Sequence, residues 1–174
     1  MKIASQHSPE RSQLAKLIEP MRVAMLTHVD DDGGMVSQPM APLEMDSEGA
    51  IWFFTDLRSA RVEHLRAVNL SFVDSEHGTY VSLSGRGEVH AERAHIQRLW
   101  TSMALPWFPE GPDSSNLALL KFVADKAEYW DAPGSRMVRL FAMAASVVLG
   151  KPVGMGDHGK LADLTPARPN AVSG

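Results

Sequence analysis

The chain contains no cysteine, which rules out disulfide staples, thiolate metal ligands and a cysteine nucleophile together. It also has no block of lysines and arginines, and its formal net charge is −4. No overall attraction therefore draws it to nucleic acid or to an anionic membrane. The apolar run Leu140 to Leu149 is half the length of about 20 residues that a membrane-spanning helix requires. The opening segment MKIASQHSPERSQLAKLIEP is polar and lacks the apolar stretch of a secretory signal. A cytoplasmic location is the expectation, and the lack of cysteine fits a reducing compartment. Several chemistry-bearing motifs are missing as well: there is no Gly-x-Ser-x-Gly elbow, Walker loop or dinucleotide fingerprint. Of the seven histidines, His90 and His95 fall five apart across a strand-to-helix change, which is poor ligand geometry. The acidic run Asp30 to Asp32 lacks the alternating ligands of a calcium loop. No metal is expected.

What remains is an ordinary soluble composition, 44% hydrophobic and 22% charged over 174 residues. That is enough for one core. Residues 1–174 read as a single domain, with 151–174 as a C-terminal extension running over the surface. Apolar spacing predicts a helix over Ser12 to Met21 and a buried strand over Val23 to Val29. Asp-Gly-Gly at 32–34 supplies a hairpin turn. An extended stretch, Met35 to Met45, then bends or lies on an edge at Pro39 and Pro42. Strands are expected at Ile51 to Thr55, Leu70 to Val73, Tyr80 to Ala91, Leu120 to Trp130 and Met137 to Phe141. Helical pieces are expected at Ser59 to Val68, Ala94 to Met103, Ser114 to Leu119 and Ala142 to Leu149. In the Tyr80 strand, Gly85 and Gly87 share a face with Val81, Leu83 and Val89, a sign that another backbone or a ligand comes close. Successive strands joined by short turns predict a mainly β fold: an antiparallel barrel with peripheral helices.

The segment IWFFTDLRSARVEHLRAVNLSFV, Ile51 to Val73, carries the most chemistry. An aromatic strand runs into Thr55-Asp56, then a turn with Ser59 and Arg61, then a helix start. Free backbone N–H groups, a hydroxyl and a guanidinium at such a start suit a phosphate. The plainer alternative is a capping serine beside a solvated arginine. Asp56 favours that alternative unless its carboxylate faces away from any bound anion.

Thr-x-x-x-Ser-x-Arg after an aromatic strand resembles the flavin-phosphate segment of the pyridoxamine 5′-phosphate oxidase-like, FMN-binding split-barrel superfamily. The series MRVAMLTHVDDDGGMVSQPMAPLEMDSEGAIWFFTD, SLSGRGEVHAERAHIQRLW and WFPEGPDSSNLALLKFVADKAEYWD is similar, in order and spacing, to its general stress protein branch. The resemblance spans roughly residues 12 to 160. It implies a split barrel that binds FMN, with FAD or a deazaflavin ranking below it, at the interface of a homodimer. It implies phosphate contacts from Ser59 and Arg61 and ring-edge contacts from the backbone of Phe54 and Thr55. Gln38 stands where many relatives place an arginine, so a neutral group replaces a cation there. Tyr80 matches a polar ring-contacting position, and Trp107 with Phe108 suits an exposed lid approaching the cofactor held by the other chain. A flavin-dependent oxidoreductase is one implied activity. A flavin-sequestering stress protein, or a barrel holding haem, a deazaflavin or nothing, are the alternatives. The C-terminal segment offers Lys151, Lys160 and Arg168 without the basic set that oxidation of pyridoxamine phosphate requires.

Overall fold

The fold is described from a computed structural model covering residues 1–58, 62–131, 157–161 and 164; at 62, 131 and 157–159 the description is of the backbone alone. Helix α1, Pro9–Ile18, starts earlier than its apolar spacing suggests. Pro9 takes the first helical position, and the Ser8 hydroxyl accepts the Arg11 N–H at 3.2 Å. That pairing of N-cap serine and N1 proline is a strong start signal.

Among the described residues nine strands form one sheet: β1 (Lys2–Ile3), β2 (Ala24–Val29), β3 (Met35–Met40), β4 (Glu44–Met45), β5 (Ile51–Asp56), β6 (Val68–Asp74), β7 (Thr79–His90), β8 (Leu117–Asp131) and β9 (Asp157–Leu161). The order is β1-β4-β5-β8-β7-β6-β2-β3, with β9 added to β8. Every pairing is antiparallel except β1 with β4. Helix α2, Arg93–Leu99, follows β7. The architecture is therefore mainly β with peripheral helices, as expected.

One face of the sheet wraps the main core. Leu26, Leu70 and Leu83 stand opposite one another across β2, β6 and β7, and all three are fully buried. Phe53, Phe72 and Phe122 fill the space between them, and Leu14, Ala15 and Ile18 of α1 join the same core. Each such side chain contributes roughly 1.5–3 kcal/mol by leaving water. A second cluster lies beyond β5, where Trp52 packs with Ile96, Leu99, Phe108, Leu117 and Leu119. β5 is thus buried on both faces, which is why its sequence is nearly all apolar.

The two glycines of β7 meet the close approach they suggested. A Cβ on Gly85 would lie 2.1 Å from the Val123 carbonyl oxygen, and one on Gly87 would lie 2.9 Å from Leu120 Cδ1 and 3.2 Å from Leu65 Cβ. The ladder between β7 and β8 shifts register at Ser84/Gly85, where Asp125 is left over.

Several elements differ from their expected form. The Met35–Met45 stretch divides into β3 and β4, broken between them around Pro42. Of the expected Ser59–Val68 helix, residues 59–61 lie outside the described residues, Val62–Leu65 is a 3-10 turn, and Val68 already begins β6. The expected helix at Ser114–Leu119 is instead a turn through Asn116, preceded by a 3-10 turn at Gly111–Asp113, and then the beginning of β8 from Leu117. Part of the presumed surface extension, β9, pairs with β8 from Ala127 to Asp131, and Leu161 and Leu164 are buried in the core. The expected elements Met137–Phe141 and Ala142–Leu149 lie outside the described residues.

Candidate functional site

The site begins at the end of β5. On one edge β5 pairs with β8 along its whole length, from Ile51↔Phe122 to Asp56↔Leu117. On its other edge β4 reaches only Ile51 and Trp52. Among the described residues no strand pairs with that edge beyond Trp52. An unpaired ladder edge leaves alternate N–H and C=O groups for another partner. Trp52 turns its carbonyl to the β4 side, where it accepts the Leu43 N–H, and Leu57 turns its N–H to Asn116 on the β8 side. By alternation the Phe54 backbone faces the open edge and that of Thr55 faces β8, while the Phe54 ring is spent on packing, 5.6 Å from Trp100 and 6.4 Å from Phe108.

Beyond the edge, Asp56 is turned into its own surroundings. Its Oδ1 accepts the Arg58 backbone N–H at 2.8 Å and Arg58 Nε at 3.0 Å, and its Oδ2 accepts Arg58 Nη2 at 2.6 Å and Asn116 Nδ2 at 2.8 Å. The Arg58 side-chain hydrogen bonds, against the cost of desolvation, hold the Asp56 carboxyl well below the usual carboxylate range. The same pair raises Arg58 above the ordinary guanidinium value. Asn116 is fixed in turn by the Ser114 hydroxyl, which donates at 2.7 Å from a buried position, and its carbonyl accepts the Leu57 N–H at 2.8 Å. Arg93, at the start of α2, grips the Ser114 carbonyl at 2.9 Å. The carboxylate that argued against a phosphate is thus neutralised by groups of its own chain. Sequence reading missed Asn116; the Asp-x-Arg step, an Asx-type turn, was its available signal.

Ser59 and Arg61 lie outside the described residues. Gln38 is exposed on edge strand β3, opposite Leu26, so it shares the face that points to the core. Tyr80 is 45% exposed and lies on the other face, where it alternates with buried Val81. Trp107 is 73% exposed, whereas the neighbouring Phe108 is buried against Phe54. Within one chain Phe54 and Thr55 stand together, while Gln38 and Tyr80 fall on opposite faces.

Other cationic and imidazole groups have local partners. Arg98 makes a two-pronged pair with Glu44 at 2.9 and 2.8 Å, and Arg86 reaches Asp125 at 3.0 Å. Lys160 pairs with Glu128 at 2.8 Å. His90 and His95 flank the Trp52 ring at 5.3 and 4.3 Å. Among the described residues no group of three acidic or histidine side chains is placed to hold a metal ion, and no helix is long and apolar enough to cross a membrane.

Comparison with known proteins bears on this arrangement. Residues 9–153 match the model of the family described as pyridoxamine 5′-phosphate oxidase like. The general stress FMN/FAD binding protein of Xanthomonas citri is 33% identical, with 72% of this chain and 90% of that one covered and a TM-score of 0.60. A Clostridium acetobutylicum protein related to general stress protein 26 is 25% identical, covering 70% of this chain and 87% of its own, also at a TM-score of 0.60. Protein bli-3 of Neurospora crassa is 22% identical over 154 residues, 81% of this chain and 74% of that one. The chain belongs to the pyridoxamine 5′-phosphate oxidase-like family of split-barrel proteins, in its general stress protein branch.

Proposed function

We propose that this protein binds FMN at the interface of a homodimer and uses it in oxidation–reduction. The observation that carries the reading is the open edge of β5 at the Phe54 backbone, beside an Asp56 whose charge is already neutralised. A flat heterocycle whose rim carries donors and acceptors can complete such an edge as a strand would. The FMN/FAD binding named for the Xanthomonas citri relative supports a flavin. One hydroxyl and one guanidinium, Ser59 and Arg61, suit a monophosphate, which favours FMN over FAD.

In this reading the Phe54 backbone meets the ring edge, Ser59 and Arg61 hold the phosphate, and Gln38 adds a neutral donor. Tyr80 faces away from that side of its own chain, so it and Trp107 contact the cofactor from the partner protomer. Val23, Val73 and Tyr80 are all exposed, at 51%, 55% and 45%. Val73 and Tyr80 are direct cross-strand neighbours on β6 and β7, and covering this apolar row supports the dimer. A bound flavin supplies hydride and single-electron transfer, while the protein supplies position and electrostatics. A cytosolic setting accords with the absence of cysteine.

An absorbance titration of the purified protein with FMN tests the binding. Saturation at micromolar FMN with a perturbed flavin spectrum is expected, and no binding in that range overturns the proposal. Bleaching by NADH or NADPH and recovery in air then separates an oxidoreductase from a protein that only stores flavin.

A further inference from the structure

We propose that His95 makes the seat of helix α2 sensitive to pH: the helix is held on β4 and β5 while the ring is neutral, and loosens when the ring takes up a proton. The consequence for the cofactor rests on the flavin reading above; the loosening of the helix does not. α2 touches β5 at two points. The His95 ring packs on the Trp52 ring, with centroids 4.3 Å apart and planes 56° from parallel. Trp100, which caps the helix, lies 5.6 Å from Phe54. Between these contacts Ile96 and Leu99 are buried in the second core cluster. On its exposed side the helix is tied by Arg98 to Glu44, the β4 residue that stands opposite Trp52. Beyond that pair no strand covers this edge of β5 among the described residues. The tie therefore holds β4 where the β5 edge opens, and Trp100 backs the residue whose backbone faces the opening.

One contact in this seat exists in only one protonation state. Arg98 Nη2 lies 2.7 Å from His95 Nε2 and 2.8 Å from Glu44 Oε2. A guanidinium only donates, so His95 Nε2 accepts, with the ring neutral and its proton on Nδ1. A proton on Nε2 removes the acceptor and sets two cations face to face across the same gap. The charged groups around the ring divide in sign. Glu44 of β4 and Glu92 at the start of α2 favour the proton, whereas Arg98 and His90, the last residue of β7, oppose it. Farther round Trp52 the charges answer one another. Lys121 of β8 lies 3.6 Å from Glu48, and Glu88 of β7 lies 3.5 Å from His90 and 3.7 Å from Arg86. The Asp46 carboxylate accepts Trp52 Nε1 at 2.8 Å, and Lys2 of β1 acts on Glu44. Burial, ahead of the Arg98 charge, holds the His95 ring below the ordinary histidine value of 6.5. With a depressed value, the contact is intact above the value of the loosened state and is lost as pH falls through that of the seated state. The change therefore falls on the acid side of 6.5.

Hydrogen exchange of the full chain, read by mass spectrometry without added ligand, tests the helix directly. Protection of the segment Arg93 to Trp100 is corrected for the intrinsic pH dependence of exchange. In wild type it should fall several-fold between about pH 7.5 and about pH 5, within the range where histidine titrates, while that of β6 stays level. His95→Gln keeps an acceptor for Arg98 but cannot titrate, so its protection should not change with pH. Level protection in wild type, or an equal fall in the variant, overturns the proposal. The His95 ring proton resonances give a second measure. Their midpoint should lie below 6.5 in wild type and move upward in Arg98→Met. A midpoint that Arg98→Met leaves in place also overturns it. Riboflavin, which has no phosphate to titrate, links the helix to the cofactor. Its dissociation constant in wild type, divided by that in His95→Gln, should rise several-fold as pH falls over the same range. A flat ratio beside changing protection overturns that link. If neither FMN nor riboflavin binds at any pH, the flavin reading falls, and the exchange result alone decides whether the helix is pH-sensitive.

Discussion

Arg58 folds back onto Asp56 so completely that its backbone N–H, its Nε and its Nη2 all donate to the one carboxylate. The Asp56 pKa lies well below its ordinary value of 3.8. A depressed folded-state value means that this stabilisation is fully present above the unfolded value and is lost as pH falls below it. Wild type should therefore lose stability steadily as pH drops below about 4. The Asp56→Asn variant should show a shallower decline over the same window, measured as the urea midpoint against pH.

The Val123 carbonyl oxygen occupies the place of a side chain at Gly85. Gly85→Ala must push the two backbones apart at the register shift and should cost about 3 kcal/mol. Gly87→Ala meets chiefly the Leu120 and Leu65 side chains, which can yield, and should cost about 1 kcal/mol. Urea unfolding of the two variants checks both the size and the order of the effects.

If Ser59 and Arg61 hold the cofactor phosphate, Arg61→Ala removes a charge-assisted contact of about 1.5–3 kcal/mol. The FMN dissociation constant should rise by roughly ten- to a hundredfold, with riboflavin affinity unchanged. Gln38→Arg should act in the opposite sense and tighten FMN by about tenfold. Equal effects on FMN and riboflavin would show that neither position meets a phosphate.

Val73 lies on the outward face of β6, 55% exposed. Val73→Glu should leave the isolated fold within about 1 kcal/mol of wild type, yet it would place a charge inside the proposed dimer contact. Light scattering after gel filtration should show dimers for wild type and monomers for the variant. An unchanged dimer would locate the subunit contact elsewhere.

Much of the fold was legible because the chain punctuates its strands clearly. The turns at Gly33 and Gly49 have φ of 80° and 85°, and β7 alternates buried and exposed residues through its first half, as its sequence does. The errors have separate causes. Ser114 to Leu119 carries helix-start chemistry, with Asp113 as a plausible cap. Pairing with β5 and β7 overrides that local preference from Leu117 onward. β1 and β9 are short, and β9 carries a glycine and three charged or imidazole residues, DHGKL. Its strand character comes from the neighbouring strand rather than from its own side chains. At the site, the residue types at the end of β5 pointed to an anion. No periodicity in the sequence could show that Asp56 faces Asn116, sixty residues away, or that His95 packs on Trp52.

β8 is fifteen residues long, and along one edge it serves two clients in turn, β5 up to Phe122 and β9 from Ala127. As the chain is synthesised, β5 is already waiting when Leu117 emerges, but the partner of Ala127 to Asp131 has not yet been made. Until Asp157 is made, Ala127 to Asp131 lack their β9 partner, for a time on the order of seconds. In that interval a nascent chain can pair there with the wrong strand.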